Sequence, residues 1–215
     1  MHNKIVIFVT YLFCLFCLLF VLRNFKKNND YIQKTQEQQL TINKNSPNKT
    51  LSDKKNLLDK AIQLVSKHEG CRRRVYVDTA GHQTIGIGFN LQKGNAIKRL
   101  LPYDYDKVLI GSITLSKEKI VQLFIEDIET AILTAKKLNP NFDSLPENVQ
   151  LVLIDMSFNL GESKLRQFKK FLAALRKEDF HTAAKEMKCS CWYSQVGNRA
   201  RELEDMMLCV AASHN

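Results

Sequence analysis

Residues 68–92 read HEGCRRRVYVDTAGHQTIGIGFNLQ. Two short runs alternate in polarity, residues 74–78 and residues 84–89, and the polar TAGHQ joins them, a pattern that predicts a β-hairpin or small meander. Gly81, Gly86 and Gly88 mark tight turns or close backbone approach. Upstream, Leu57, Leu58, Ala61, Ile62 and Val65 recur at helical spacing behind Ser52, a plausible N-cap. Glu69 therefore closes a helix and Asp78 closes a strand. That placement can point two carboxylates into one cleft without making them neighbours. Cutting a glycosidic bond needs an acid for the leaving oxygen and a second carboxylate that activates water or attacks the sugar. Thr84, opening the second run, offers a hydroxyl that can position a water. The plainer alternative is that Glu69 and Asp78 are two of 22 acidic residues on a basic surface, where most acids lie. Spacing alone does not separate the two readings.

The chain beyond the hairpin is helical. Residues 116–138 carry Ile120, Val121, Phe124, Ile128, Ala131, Ile132 and Ala135 on one stripe, and Pro140 ends the helix. Residues 149–160, VQLVLIDMSFNL, are apolar nearly all round, which predicts a helix at the centre of a bundle. Shorter helices are expected at residues 164–176, 179–188 and 198–210. His68 is expected on the surface, and Trp192 and Tyr193 as packing residues.

Residues 5–22 hold no charge and as a helix would span about 27 Å, close to a bilayer's hydrocarbon thickness. The 1–23 segment is therefore expected to be a hydrophobic signal anchor or transmembrane helix. Residues 24–51, rich in Asn, Gln, Lys and Thr, are expected to form a polar flexible linker. A catalytic-sized domain fills 52–215. The expected location is membrane-anchored or secreted, with that domain facing the periplasm, the extracellular space or a lumen. Basic residues on both sides of the apolar run leave the topology open.

Of the net charge of +10, half falls on the first 50 residues. A basic surface suits an anionic partner such as a bacterial wall polymer. The chain has no Lys/Arg-rich recognition helix, Cys/His finger spacing or aromatic stacking motif, so nucleic acid is not expected as a partner. Cys189-Ser-Cys191 has no matching pair or histidine nearby, so no metal site is expected, and none of the readings calls for a cofactor.

The stretch at residues 68–89 resembles the phage-type lysozymes, the endolysin muramidases whose pattern is Glu, eight residues, Asp, five residues, Thr, then Gly-x-Gly. Glu69, Asp78, Thr84, Gly86 and Gly88 match it. SLPENVQLVLIDMSFNLGESKLRQF looks like the family's central helix, and WYSQVGNRARELE is similar to its late signature. The resemblance implies an α+β fold of two lobes, a small antiparallel-sheet lobe and a helical lobe joined by the long helix, with the cleft between them. It implies a monomer that inverts the β-1,4 bond of bacterial peptidoglycan between N-acetylmuramic acid and N-acetylglucosamine. Glu69 would be the general acid, Asp78 with Thr84 would hold the water, and Arg199 would steady the acid. Asn90, Phe158, Phe171 and Glu186 fall where the family places sugar-contacting residues. Phe89 stands where a histidine is common, so an ion pair there is not expected. Cleavage of chitin-like polymers and glycan binding without cleavage stay open as alternatives. Some members are anchored and held inactive by cysteine pairing, which makes redox control through Cys14, Cys17 and Cys71 a further expectation, although position 78 is Asp rather than Cys.

Overall fold

The computed structural model describes residues 51–78 and 81–214. The apolar run at residues 5–22 and nearly all of the expected linker lie outside them. No helix among the described residues is long and apolar enough to cross a membrane.

Helix α1, Leu51–His68, leads into a three-stranded antiparallel sheet of β1 (Arg72–Val77), β2 (Gln83–Gly86) and β3 (Phe89–Asn90). The expected hairpin is thus a meander. Gly86 and Gly88, with φ of 68° and 73°, turn the chain back between β2 and β3, a left-handed conformation that costs glycine little. Thr84 lies mid-sheet, opposite Tyr76 on one side and Asn90 on the other.

Two short helices follow, α2 (Ala96–Leu100) and α3 (Tyr105–Leu109), neither of which the periodicity predicts. Helix α4, Lys117–Leu138, is capped by Ser116, whose hydroxyl accepts from the Lys119 amide, and ends two residues before Pro140. Its length is that expected from the stripe. After a 3-10 turn at Phe142–Ser144 come α5 (Glu147–Leu165), α6 (Lys169–Arg176), α7 (Phe180–Lys188), α8 (Cys191–Val196) and α9 (Asn198–Ser213). Gly161, at φ 71°, kinks α5, and residues 166–168 separate it from α6 where one helix over residues 164–176 was expected.

Two hydrophobic cores form. The smaller gathers Ile85, Phe89, Leu91, Leu100, Val108 and Leu115 around the sheet. The larger packs α1 and α5–α9, with Leu153, Ile154 and Met156 of α5 wholly inaccessible. Helix α4 serves both: Ile120 and Leu123 belong to the first core, and Phe124, Ile128, Ala131 and Ala135 to the second. A single helix contributing to two cores, at roughly 1.5–3 kcal/mol per buried large aliphatic side chain, couples the sheet to the bundle.

Candidate active site

Glu69 follows the last turn of α1, its amide still donating to the Val65 carbonyl at 3.1 Å, so the helix aims its side chain. The carboxylate is about one-fifth exposed. Its Oε1 accepts from Arg199 Nη1 at 2.6 Å. Its Oε2 lies beside Gly88, where an added Cβ would sit 3.6 Å from that oxygen and 3.7 Å from Phe158 Cε1. The glycine turn, the acid and Phe158 therefore meet at one place. Phe158 is held there edge-on by Phe124 of α4, with ring centroids 5.7 Å apart.

Asp78 follows β1 and is fixed by its own turn. Its Oδ1 accepts from the His82 amide at 2.8 Å, and its backbone amide donates to the His82 carbonyl at 2.9 Å. Thr84, almost fully buried, donates its hydroxyl hydrogen toward Asp78 Oδ2 at 3.3 Å and the His82 carbonyl at 3.2 Å. The His82 ring stands 3.5 Å from the same Oδ2. One hydrogen is thus shared between two contacts longer than the usual O–H···O range.

Tyr76 lies within the field of both acids. Burial pushes its phenol up, and the charges of both Glu69 and Asp78 push it the same way, so both carboxylates act on one hydroxyl. The Arg72 guanidinium lies 4.6 Å from the centre of the Tyr76 ring. Tyr76 was not singled out from the sequence.

The structure overturns the expectation for His68, as it does that for Ser52, which lies inside α1 rather than capping it. His68 is not a surface residue: its side chain is 7% exposed, and Nδ1 stands 2.9 Å from Oδ2 of Asp155. Asp155, on α5, is wholly buried and through Oδ1 accepts from Arg199 Nε at 2.7 Å. A charged row thus runs from Glu69 through Arg199 and Asp155 to His68, then at 3.4 Å to Glu202, which Lys67 neutralises from 2.7 Å. The hydrogen bond to Asp155 raises the His68 pKa above its ordinary value against the opposing effect of burial. Arg199 Nη2 is buried with no hydrogen-bond partner among the described residues. The sequence did carry a signal for Asp155, since one acid inside a helix buried all round must be paired.

The expected sugar-contacting residues fall into two places. Phe158 stands at the acid, and Asn90, beside Thr84 in the sheet, accepts the Gln92 amide on its side chain at 2.7 Å. Phe171 and Glu186 instead line an open cavity of about 590 Å³ in the helical part, together with Phe168 and Trp192. Phe171 is only 1% exposed and packs edge-on against Phe168, so its ring serves the core. Trp192 is buried as expected and donates Nε1–H to Asn159 at 2.8 Å, next to Phe158 in the chain. Phe89 makes no ion pair; Arg99 lies 4.7 Å from the centre of its ring while binding Asp127 at 2.6 Å. The four described cysteines, Cys71, Cys189, Cys191 and Cys209, are exposed free thiols. Among the described residues no group of three or more His, Cys, Asp or Glu is placed to hold a metal.

A family model described as phage lysozyme matches residues 66–205. The chain is 31% identical over 150 residues to "Probable T4-type lysozyme 2" of Dictyostelium discoideum, covering 65% of this chain and 88% of that protein. It is 27% identical over 155 residues to the pre-baseplate central spike protein of Enterobacteria phage T4, covering 68% of this chain but only 27% of the spike protein. It is also 27% identical over 139 residues to a peptidoglycan hydrolase of Pseudomonas phage phiKMV, covering 63% of this chain and 14% of that protein.

Proposed function

We propose that this chain, which belongs to the phage lysozyme family, is a muramidase that hydrolyses the β-1,4 bond between N-acetylmuramic acid and N-acetylglucosamine in bacterial peptidoglycan. The observation that carries the reading is the meeting of Glu69, Gly88 and Phe158 at one point, with Asp78 and Thr84 presented by the same three-stranded sheet. Gly88 leaves the space beside Glu69 Oε2 unfilled, which a sugar ring needs.

In this reading Glu69, protonated, gives its proton to the glycosidic oxygen as the bond to the anomeric carbon breaks. Asp78 Oδ2 and the Thr84 hydroxyl hold a water, and Asp78 takes its proton as the oxygen attacks the opposite face, so the anomeric configuration inverts. Arg199 fixes the rotamer of Glu69 through Nη1. Asn90 and Phe158 contact the glycan near the bond being cut, while Glu186 stands at the wall of the cavity in the helical part and Phe171 supports that wall from the core. No metal or organic cofactor enters these steps. The protein acts as a monomer, and the apolar run at residues 5–22 tethers it or directs its secretion, so that the domain meets the wall.

The test is clearance of purified peptidoglycan by the full chain beside its Glu69→Gln variant. The wild type clears the suspension; the variant does not, while its circular dichroism and unfolding midpoint stay near those of the wild type. A Glu69→Gln protein with undiminished activity would defeat the assignment.

A further inference from the structure

Resting on that reading, we propose that Asp155 and His68 form a positioning pair for the acid, in which Asp155 anchors Arg199 and offsets its charge while His68, on the far side of Asp155, sets the extent of that offset.

Glu69 must carry a proton to act, and the guanidinium of Arg199 stands 2.6 Å from its Oε1. Asp155 is the compensating charge. It is wholly buried and grips the same guanidinium at Nε, 2.7 Å away. The two carboxylates hold Arg199 by different nitrogens, and the third, Nη2, has no hydrogen-bond partner among the described residues. The guanidinium is thereby anchored from the helical core by Asp155 while Nη1 reaches Glu69.

His68 meets the other oxygen of Asp155. When its ring is protonated, Asp155 answers two cations, and less of its charge is left to offset Arg199. The charges acting on His68 are Asp155 from α5, Arg199 and Glu202 from α9, and Lys67 on its own helix, itself paired with Glu202. The face of α4 turned to the same core is apolar. His68 and Glu69 are adjacent in the chain, so the helix end that aims the acid also carries the group that regulates its counter-ion. The bond to Asp155 raises the basicity of His68 and so favours the protonated ring.

Opposite effects follow from two near-isosteric substitutions. Asp155→Asn removes the compensating anion, and the alkaline limb of the activity profile moves to lower pH by about one unit. His68→Asn keeps a donor near the position of Nδ1 but removes a cation, and the same limb moves to higher pH by roughly half a unit. A residue that merely holds the fold would lower the rate without moving the limb.

The experiment measures initial reducing-end release from solubilised peptidoglycan strands, below saturation, across pH. It compares the full-length wild type, Asp155→Asn and His68→Asn, each checked for folding by thermal unfolding. Limbs displaced in opposite directions support the pair. Unmoved limbs, or limbs displaced the same way, overturn it while leaving the muramidase reading standing. A wild type that releases no reducing ends overturns both. Should Asp155→Asn not fold, the His68→Asn limb decides alone: an upward shift supports the pair, and any other result refutes it.

Discussion

Replacing Arg199 by methionine isolates the cost of leaving a buried charge without its cation. Methionine keeps much of the volume but removes the donors that meet Asp155 at 2.7 Å and Glu69 at 2.6 Å. Glu69 is about one-fifth exposed and can regain water, so its loss adds little. Asp155 has no exposure and among the described residues keeps only His68 as a charged partner. Removing one partner of a buried pair costs about 3–5 kcal/mol, and the surviving His68 contact places Arg199→Met near about 3 kcal/mol. For a domain of this size that is a fall in Tm of about 6–12 °C, a large part of a typical total stability of about 5–15 kcal/mol. Urea unfolding followed by circular dichroism gives the value. Because the cost is chiefly an orphaned charge rather than lost packing, the double variant Arg199→Met, Asp155→Leu should lose less than the sum of the two single variants' losses. A loss under about 1 kcal/mol for Arg199→Met, or losses that add in full, would refute the reasoning.

Two further outcomes are expected. The His68 pKa is raised by its bond to Asp155, so its contribution to stability is complete below the unfolded value of 6.5 and is lost as pH rises through the higher folded value. Unfolding free energy should therefore fall as pH rises from 6.5 through that folded value in the wild type and fall less in His68→Asn, as read from urea titrations at a series of pH values; equal slopes would contradict this. Gly88→Ala places a methyl in ordinary contact with Glu69 Oε2 and Phe158 at a φ of 73°, where the backbone strain costs about 1–2 kcal/mol. It should lower wall clearance well beyond that loss of stability, because the methyl takes up space meant for the sugar, and full activity in a folded Gly88→Ala protein would argue against a glycan at that point.

The parts of the fold most readable from sequence were those with long periodic signals. Helix α4 has a stripe along most of its 22 residues and a proline stop, so its extent was recognisable. The hydrophobic content of α5 placed it at the centre, although the kink at Gly161 and the break at residues 166–168 were hidden because amphipathic spacing resumes in α6. Helices α2, α3 and α8, of five or six residues, are too short for periodicity to register. At the site, Glu69, Asp78 and Thr84 were readable from a compact local pattern. His68 was misread because its partner stands 87 residues away on another helix, a distance over which no local rule operates. Tyr76 was overlooked for a similar reason: strand pairing, rather than neighbours in the chain, brings it to Thr84.

The most direct measurement is chemical. Purified peptidoglycan is digested with the wild-type chain, the new reducing ends are reduced with borohydride, and the sugars are identified after acid hydrolysis. The account predicts reduced muramic acid from the wild type and none above background from Glu69→Gln. Reduced glucosamine in its place, or equal release by the Glu69→Gln protein, would contradict it.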